Sequence, residues 1–385
     1  MNRQKHMLIS RRSLLRNIGL GAAAAAASQS LEGICLASAA EKPAEAALGL
    51  IRLDRNESPY GPSDNVTIAI REGLQLVNRF PQGELEALVS AIATRHAVQP
   101  EQVILGCGST EILRMCASAF LGPGKKLITA SPGFALMTQY GRELAADVEA
   151  VPLTKQYEHN LAVMAQCAVG ATGLVYICNP HNPTGTLTAR NQIEAFIRRL
   201  PATVYVVVDE AYYHYANVSA AHASFIEHPL DDARVIVTRT FSKIYGLAGM
   251  RIGYAIAAGA TARHIATFRL LNGVNVAAAR AARIALEDQG HVRASAQQNA
   301  DSRQEFFNQA NARMLRWIDS QTNFVLLNTE RSSSDVVERC RKNNVLVAGG
   351  FPLMEKYVRV SLGTPAEMRE FWRVWDLAPV PHMAM

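Results

Sequence analysis

Val204-Tyr205-Val206-Val207-Val208-Asp209-Glu210-Ala211-Tyr212 is a run of β-prone apolar residues that ends abruptly in two acids. No polar residue alternates with the apolar ones, so Val204–Val208 is predicted as a strand buried on both faces. A carboxylate leaving such a strand is costly unless it has a partner. Asp209 ahead of Glu210 also fits a helix N-cap. Outward from this run the same pattern recurs. Val103–Leu105, Lys126–Thr129, Gly173–Ile177 and Val235–Thr238 are further short apolar runs. Before them 84–98, and between them 111–120 and 188–200, read as helices. Strand alternating with helix predicts an α/β fold with a mostly parallel sheet. A helical stretch from about 275 to 318 follows. Asn323–Asn328, Val345–Val347 and Tyr357–Ser361 then suggest a second, smaller α+β domain.

In open α/β sheets ligands bind beyond the carboxyl ends of the strands, and four segments there carry chemistry. Gly106-Cys107-Gly108-Ser109-Thr110-Glu111 is a glycine turn feeding a helix N-terminus, which presents N–H groups to an anion. Asn179-Pro180-His181-Asn182-Pro183-Thr184-Gly185 holds two Asn-Pro turns, which force a sharply turning loop. Asp209-Glu210-Ala211-Tyr212 is the third. The fourth, Thr240-Phe241-Ser242-Lys243 through Arg251-Ile252-Gly253-Tyr254, places a lysine beside hydroxyls and an arginine in a Gly-rich stretch. Each of the first three, alone, is also an ordinary turn or cap.

Together and in this order the four resemble the fold-type I aminotransferases that depend on pyridoxal 5′-phosphate, and among them the histidinol-phosphate aminotransferase-like branch. Asp209 lies 27 residues after Asn182, Lys243 lies 34 after Asp209, and Arg251 lies 8 after Lys243. The resemblance covers roughly Leu50 to Met368. It implies a large domain with a mainly parallel seven-stranded sheet and a small α+β domain built from both chain ends. It also implies a homodimer with shared active sites. The expected division is 1–39 as a signal peptide, 40–75 as N-terminal arm and part of the small domain, 76–275 as the large cofactor-binding domain, and 276–385 as the C-terminal small domain.

The resemblance assigns roles residue by residue. Lys243 would form the aldimine with the cofactor and later move the substrate Cα proton. Asp209 would face the pyridine nitrogen and keep it protonated. Tyr212 and Asn182 would hydrogen-bond the ring oxygen. Ser109 and Thr110, with Thr240, Ser242 and Arg251, would hold the phosphate. Phe134, in Ser131-Pro132-Gly133-Phe134, matches the aromatic that stacks on the ring. Arg359, in Tyr357-Val358-Arg359-Val360-Ser361-Leu362-Gly363-Thr364, matches the arginine whose fork binds the substrate carboxylate. Tyr60, in Asn56-Glu57-Ser58-Pro59-Tyr60, would line the substrate pocket. No metal is expected. The implied substrates are an amino acid, or another amino-bearing metabolite, and a 2-oxo acid. An amino-acid decarboxylase, or an oxidase or cyclase on the same scaffold, is the alternative; a non-catalytic binding protein is the remote one, opposed by the intact Lys243.

Three features depart from the pattern. The arm tyrosine that reaches toward a partner's cofactor phosphate falls at Phe80. The basic residue expected after Val345–Val347, which helps bind a substrate phosphate, is replaced by Ala348-Gly349-Gly350. The third is the N-terminus. Ser10-Arg11-Arg12-Ser13-Leu14-Leu15-Arg16 is a twin-arginine pattern, Ile18–Ala27 is a short apolar run, and Ala37-Ser38-Ala39 fits a small-residue cleavage site. Such a signal is out of place on a cytoplasmic biosynthetic enzyme. A non-phosphorylated substrate is therefore favoured, and the protein is expected in the periplasm or secreted, by way of the twin-arginine translocation machinery. A cytoplasmic location is the alternative. Translocation of folded proteins would let the enzyme load its cofactor before export.

Charge and composition agree. The 385 residues carry a net charge of +6. Residues 1–39 hold five of the 39 basic residues and one of the 33 acids, leaving 34 against 32, a net +2. That near-balance gives no reason to expect a nucleic-acid partner. Hydrophobic residues at 49% exclude a disordered chain. The longest apolar run is too short for a stable membrane anchor. Five of the six cysteines lie after residue 39. An odd number leaves at least one free thiol, and most are expected to be buried small hydrophobes.

Overall fold

Parallel strands need crossovers of a dozen or more residues, and the chain supplies helices for them. The computed structural model describes residues 49–216 and 222–377. The signal-peptide and cleavage-site expectations lie outside these residues. The first half runs β1 (Ile51–Leu53), α1 (Asp64–Gly73), α2 (Gln82–His96), β2 (Val103–Gly106), α3 (Gly108–Phe120), β3 (Lys126–Ser131), α4 (Ala135–Glu143), β4 (Asp147–Pro152), α5 (Leu161–Cys167), β5 (Thr172–Cys178) and α6 (Arg190–Arg199). The second runs β6 (Tyr205–Asp209), β7 (Val235–Thr240), β8 (Gly253–Ala257), α7 (Gly259–Ala266), α8 (Val276–Glu287), α9 (Gln289–Ala312), β9 (Trp317–Ile318), β10 (Phe324–Asn328), α10 (Ser333–Lys342), β11 (Val345–Val347), β12 (Tyr357–Ser361) and α11 (Pro365–Asp376).

The main sheet has seven strands in the order β2-β8-β7-β6-β5-β3-β4. β3, β4, β5, β6 and β7 are parallel, while β8 lies antiparallel between β2 and β7. The buried runs sit at the centre: every residue of β5, β7 and β8 is buried. Two of its strands escape the sequence pattern, as do β1 and β9 outside it; β9 falls in the stretch expected to be helical to about 318, whose helix ends at Ala312. β4 is the half-exposed edge, so Asp147-Val148-Glu149-Ala150-Val151-Pro152 lacks an apolar block. β8 begins inside the stretch read as a Gly-rich loop after Lys243, because Gly253 and Ala255 are needed for close packing rather than for a turn.

A second core gathers both chain ends. Ile51 and Leu53 of β1 pack with Phe306, Val325, Leu327, Val345, Val347, Val358, Val360, Phe371 and Trp372. β1 pairs in parallel with β11, and β12-β10-β9 form an antiparallel sheet. Val66 of α1 and Ala278, Ala279, Ala281 and Ala282 of α8 instead belong to the core of the seven-stranded sheet. Among the described residues, no helix is long and apolar enough to cross a membrane. All five described cysteines are free thiols, with Cys116, Cys178 and Cys340 buried.

Candidate active site

Lys243 follows the carboxyl end of β7, and its side chain turns back toward the end of β6. Its Nζ donates to the backbone oxygens of Arg55 (2.9 Å) and Asn56 (2.8 Å), and stands 5.7 Å from the centre of the Tyr212 ring. Burial, with the positive charges of Arg359 and Arg251 nearby, lowers its pKa to about 7. An ordinary lysine is fully charged at that pH; the lowered pKa favours the neutral amine, which can act as a nucleophile or base.

Asp209 ends β6 and is buried. Its Oδ2 accepts from the Tyr176 hydroxyl at 2.8 Å, and its Oδ1 accepts from the Thr238 hydroxyl at 3.0 Å and the Ala211 N–H at 3.1 Å. All three donors are neutral, and among the described residues no cation pairs with it. Burial raises its pKa, opposed by these hydrogen bonds. The sheet register explains the donors: Thr238 lies directly beside Asp209, and Tyr176 lies two residues before Asp209's partner Cys178.

The anion-binding part of the site comes from two loops. α3 opens at Gly108, whose φ of +74° suits glycine, and a Cβ there would strike the Arg251 guanidinium. Gly253 at the start of β8 has the Ser109 nitrogen 2.5 Å from where its Cβ would be, so β8 and the α3 turn can touch only through glycine. Arg251, itself at φ +57°, donates to the hydroxyls of Thr110 (3.2 Å) and Ser242 (3.3 Å). Thr240 accepts the Ser242 N–H at 3.1 Å. Glu111 closes the turn from inside, accepting from the Cys107 N–H at 2.5 Å and the Leu270 N–H at 2.9 Å. A helix N-terminus, two hydroxyls and a guanidinium thus converge, as a phosphate requires.

The third part faces substrate. Arg359 donates from Nη1 to Asn182 Oδ1 at 2.6 Å and from Nη2 to the Asp54 carbonyl at 2.7 Å. Its Nε is buried without a partner. The guanidinium sits 5.4 Å from the centre of the Phe324 ring and 5.6 Å from that of Phe351. Asn182 Nδ2 in turn donates to the Tyr212 hydroxyl at 3.3 Å. Lys243, Tyr212, Asn182 and Arg359 are therefore one connected group, and Thr110, Ser242 and Arg251 a second.

Two further expected residues have these surroundings. Phe134 caps α4, half-buried, and packs against the main core. Tyr60 is 38% exposed and borders a small cavity with Tyr215, Asn299 and Asn323. Sequence reasoning missed Asn56, Ser361, Tyr176 and Thr238. Asn56 was inside a quoted motif, but its side-chain partners come from residues 156 and 305 positions away.

The donors present fit pyridoxal phosphate: an amine, a buried carboxylate lacking a cation, a two-hydroxyl anion cup with its own arginine, and a glycine cradle that a Cβ would fill. A lysine-anchored coenzyme enzyme of fold type I is the class that this sheet order and these strand ends define. The family model for aminotransferases of class I and II matches residues 49–374. The chain belongs to that family and is a pyridoxal-phosphate-dependent aminotransferase. It is 33% identical over 325 residues to a histidinol-phosphate aminotransferase of Moorella thermoacetica, covering 84% of each chain. It is 36% identical over 332 residues to histidinol-phosphate aminotransferase 2 of Carboxydothermus hydrogenoformans, covering 85% of this chain and 91% of that one. Among solved structures, histidinol-phosphate aminotransferase from Sinorhizobium meliloti in complex with pyridoxal-5′-phosphate superposes with a TM-score of 0.81 at 28% identity, covering 86% of this chain and 92% of that one.

Proposed function

We propose that this enzyme moves an amino group between an unphosphorylated amino acid and a 2-oxo acid, on the scaffold of the histidinol-phosphate branch. When bound, the cofactor supplies a carbon that couples reversibly to primary amines and a ring that accepts electrons. The chain's residues do the rest. Lys243 anchors it and, once freed, carries the substrate Cα proton on Nζ. Asp209 holds a protonated ring nitrogen, the cation its pocket otherwise lacks. Arg251, Ser242, Thr240, Ser109 and Thr110 hold the phosphate. Arg359 takes the substrate carboxylate, its planar fork matching the two oxygens.

One observation carries the substrate reading. Ala348 pairs with Arg359 across the ladder, its N–H donating to the Arg359 carbonyl at 3.0 Å. Gly349 and Gly350 follow it, and Phe351 lies against the guanidinium. This supports recognition of one carboxylate and leaves a substrate phosphate without a second cation there.

The test is a panel of amino donors, with and without a phosphate ester, assayed for 2-oxo acid and new amino acid. Equal or better rates without phosphate support the proposal. Activity confined to phosphorylated donors contradicts it. Carbon dioxide release or oxygen uptake in place of a new amino acid overturns transamination itself. For assembly, Leu74, Val77, Phe80, Leu270 and Leu271 are exposed at 56–85%, which supports a homodimer covering them. The twin-arginine motif supports export to the periplasm. Arg11→Lys with Arg12→Lys should retain the protein in the cytoplasm; unchanged export refutes that assignment.

A further inference from the structure

We propose that Asn56 is a positioning residue that holds the Tyr212 hydroxyl as a hydrogen-bond donor aimed into the cofactor site. This rests on the cofactor reading above and goes beyond it.

The inference follows from counting donors and acceptors. Asn56 is 2% exposed, in the left-handed region at φ +54°. Its N–H donates to Ser361 Oγ at 2.8 Å. The Ser361 proton must then go elsewhere, and Asn56 Oδ1 receives it at 3.1 Å. That fixes the amide: Oδ1 faces Ser361, and Nδ2 faces Tyr212, donating to its hydroxyl oxygen at 3.0 Å. Asn182 is fixed in the same way. Its Oδ1 accepts from Arg359, which has only donors, so its Nδ2 also donates to Tyr212. A phenol oxygen accepts about two hydrogen bonds and donates one. Both acceptor positions are used. Among the described residues no acceptor is given for the O–H, so the proton is left for a ligand oxygen. Swapping the Asn56 amide would turn the phenol toward Asn56 instead.

The device also links the two ends of the site. The Asn56 carbonyl accepts from Lys243 (2.8 Å) and from Asn323 Nδ2 (3.0 Å), while Ser361 lies two residues beyond Arg359 on β12. The charged and titratable groups facing Lys243 and Tyr212 are Arg359, Glu57, Arg251, Asp209 and Cys178. A phenol donating to the cofactor's ring oxygen would stabilise negative charge there and so weaken proton binding at the Lys243 nitrogen beside it.

The test is a pH titration of the visible absorbance of holoenzyme for wild type, Asn56→Gly, Tyr212→Phe and the double variant. Glycine keeps the backbone conformation and the carbonyl. Asn56→Gly should raise the midpoint by up to about one pH unit, a tenfold change in proton affinity. It should add nothing in the Tyr212→Phe background. A shift of equal size with and without the hydroxyl overturns the proposal, as does no shift in a folded, coloured enzyme. Where Asn56→Gly does not fold, Ser361→Ala decides: it frees the Asn56 amide and should shift the midpoint the same way by less, and no shift there overturns the proposal. A wild type that fails to colour on reconstitution refutes the cofactor reading instead, so the two failures are distinct.

Discussion

Asp209 and Glu210 are consecutive acids, both buried at the end of β6, yet their surroundings differ. Glu210 Oε2 accepts from Arg239 Nε (3.1 Å) and Nη2 (2.9 Å) and from the Ser224 hydroxyl (2.6 Å), and its Oε1 accepts the Phe225 N–H (2.8 Å). Arg239 also lies 4.3 Å from the centre of the Tyr213 ring. Every charge in that group is answered inside the protein. Asp209 is surrounded by neutral donors alone. The strand alternation sends the two carboxylates to opposite sides of the sheet end, one into scaffold and one into the site. A buried carboxylate with hydrogen bonds but no cation is suited to hold a cationic ligand, and under the proposed function the protonated nitrogen of the coenzyme would be that ligand.

The contrast can be broken most severely at its chemical centre. Lys243→Ala should abolish both the visible absorbance of bound cofactor and transamination, by on the order of 10⁴-fold or more; retained turnover would refute the role of Lys243. Next, Glu210→Ala leaves Arg239 buried and unpaired and should destabilise the fold by about 3–5 kcal/mol in denaturant titration. Asp209→Asn keeps size and hydrogen-bonding capacity, so stability should change little while turnover falls by about 10²–10³. If the two variants behave alike in stability, the division between scaffold and site is wrong. A gentler probe uses the lowered pKa. In cofactor-free protein, labelling of Lys243 by an amine-directed reagent, read by mass spectrometry, should rise through about pH 7. Arg359→Ala removes a positive neighbour and should move that midpoint upward. The smallest effect is expected for Ser242→Ala, one of several phosphate donors, with cofactor affinity falling roughly severalfold.

Much of this was legible in the sequence because strand ends carry the chemistry and buried parallel strands are unbroken apolar blocks. β5, β6 and β7 stand within two residues of their predicted bounds, and Asp209 and Arg251 lie near enough to Lys243 to act on its charge, as the family resemblance implied. What stayed hidden depends on register and on long-range closure. No local feature separates Asp209 from Glu210; only the Arg239 and Ser224 side chains do, and these come from 29 and 14 residues away. Asn56 reads as a turn residue until β1 pairs with β11 and brings it against Ser361. β4 was invisible because an edge strand need not be apolar. Phe134 and Tyr60 rest on motif alone; Phe134 packs against the main core and Tyr60 borders a small cavity with Tyr215, Asn299 and Asn323.

The central claim is that Lys243, Asp209 and Arg359 serve one amino-transfer site, and a single-turnover reaction tests it most directly. Protein reconstituted with pyridoxal phosphate is mixed with an unphosphorylated amino acid and no acceptor. The account predicts a single loss of the visible absorbance, one equivalent of 2-oxo acid per site, and full recovery when a 2-oxo acid is added. Continuous turnover without an acceptor, or release of carbon dioxide in place of 2-oxo acid, would contradict it.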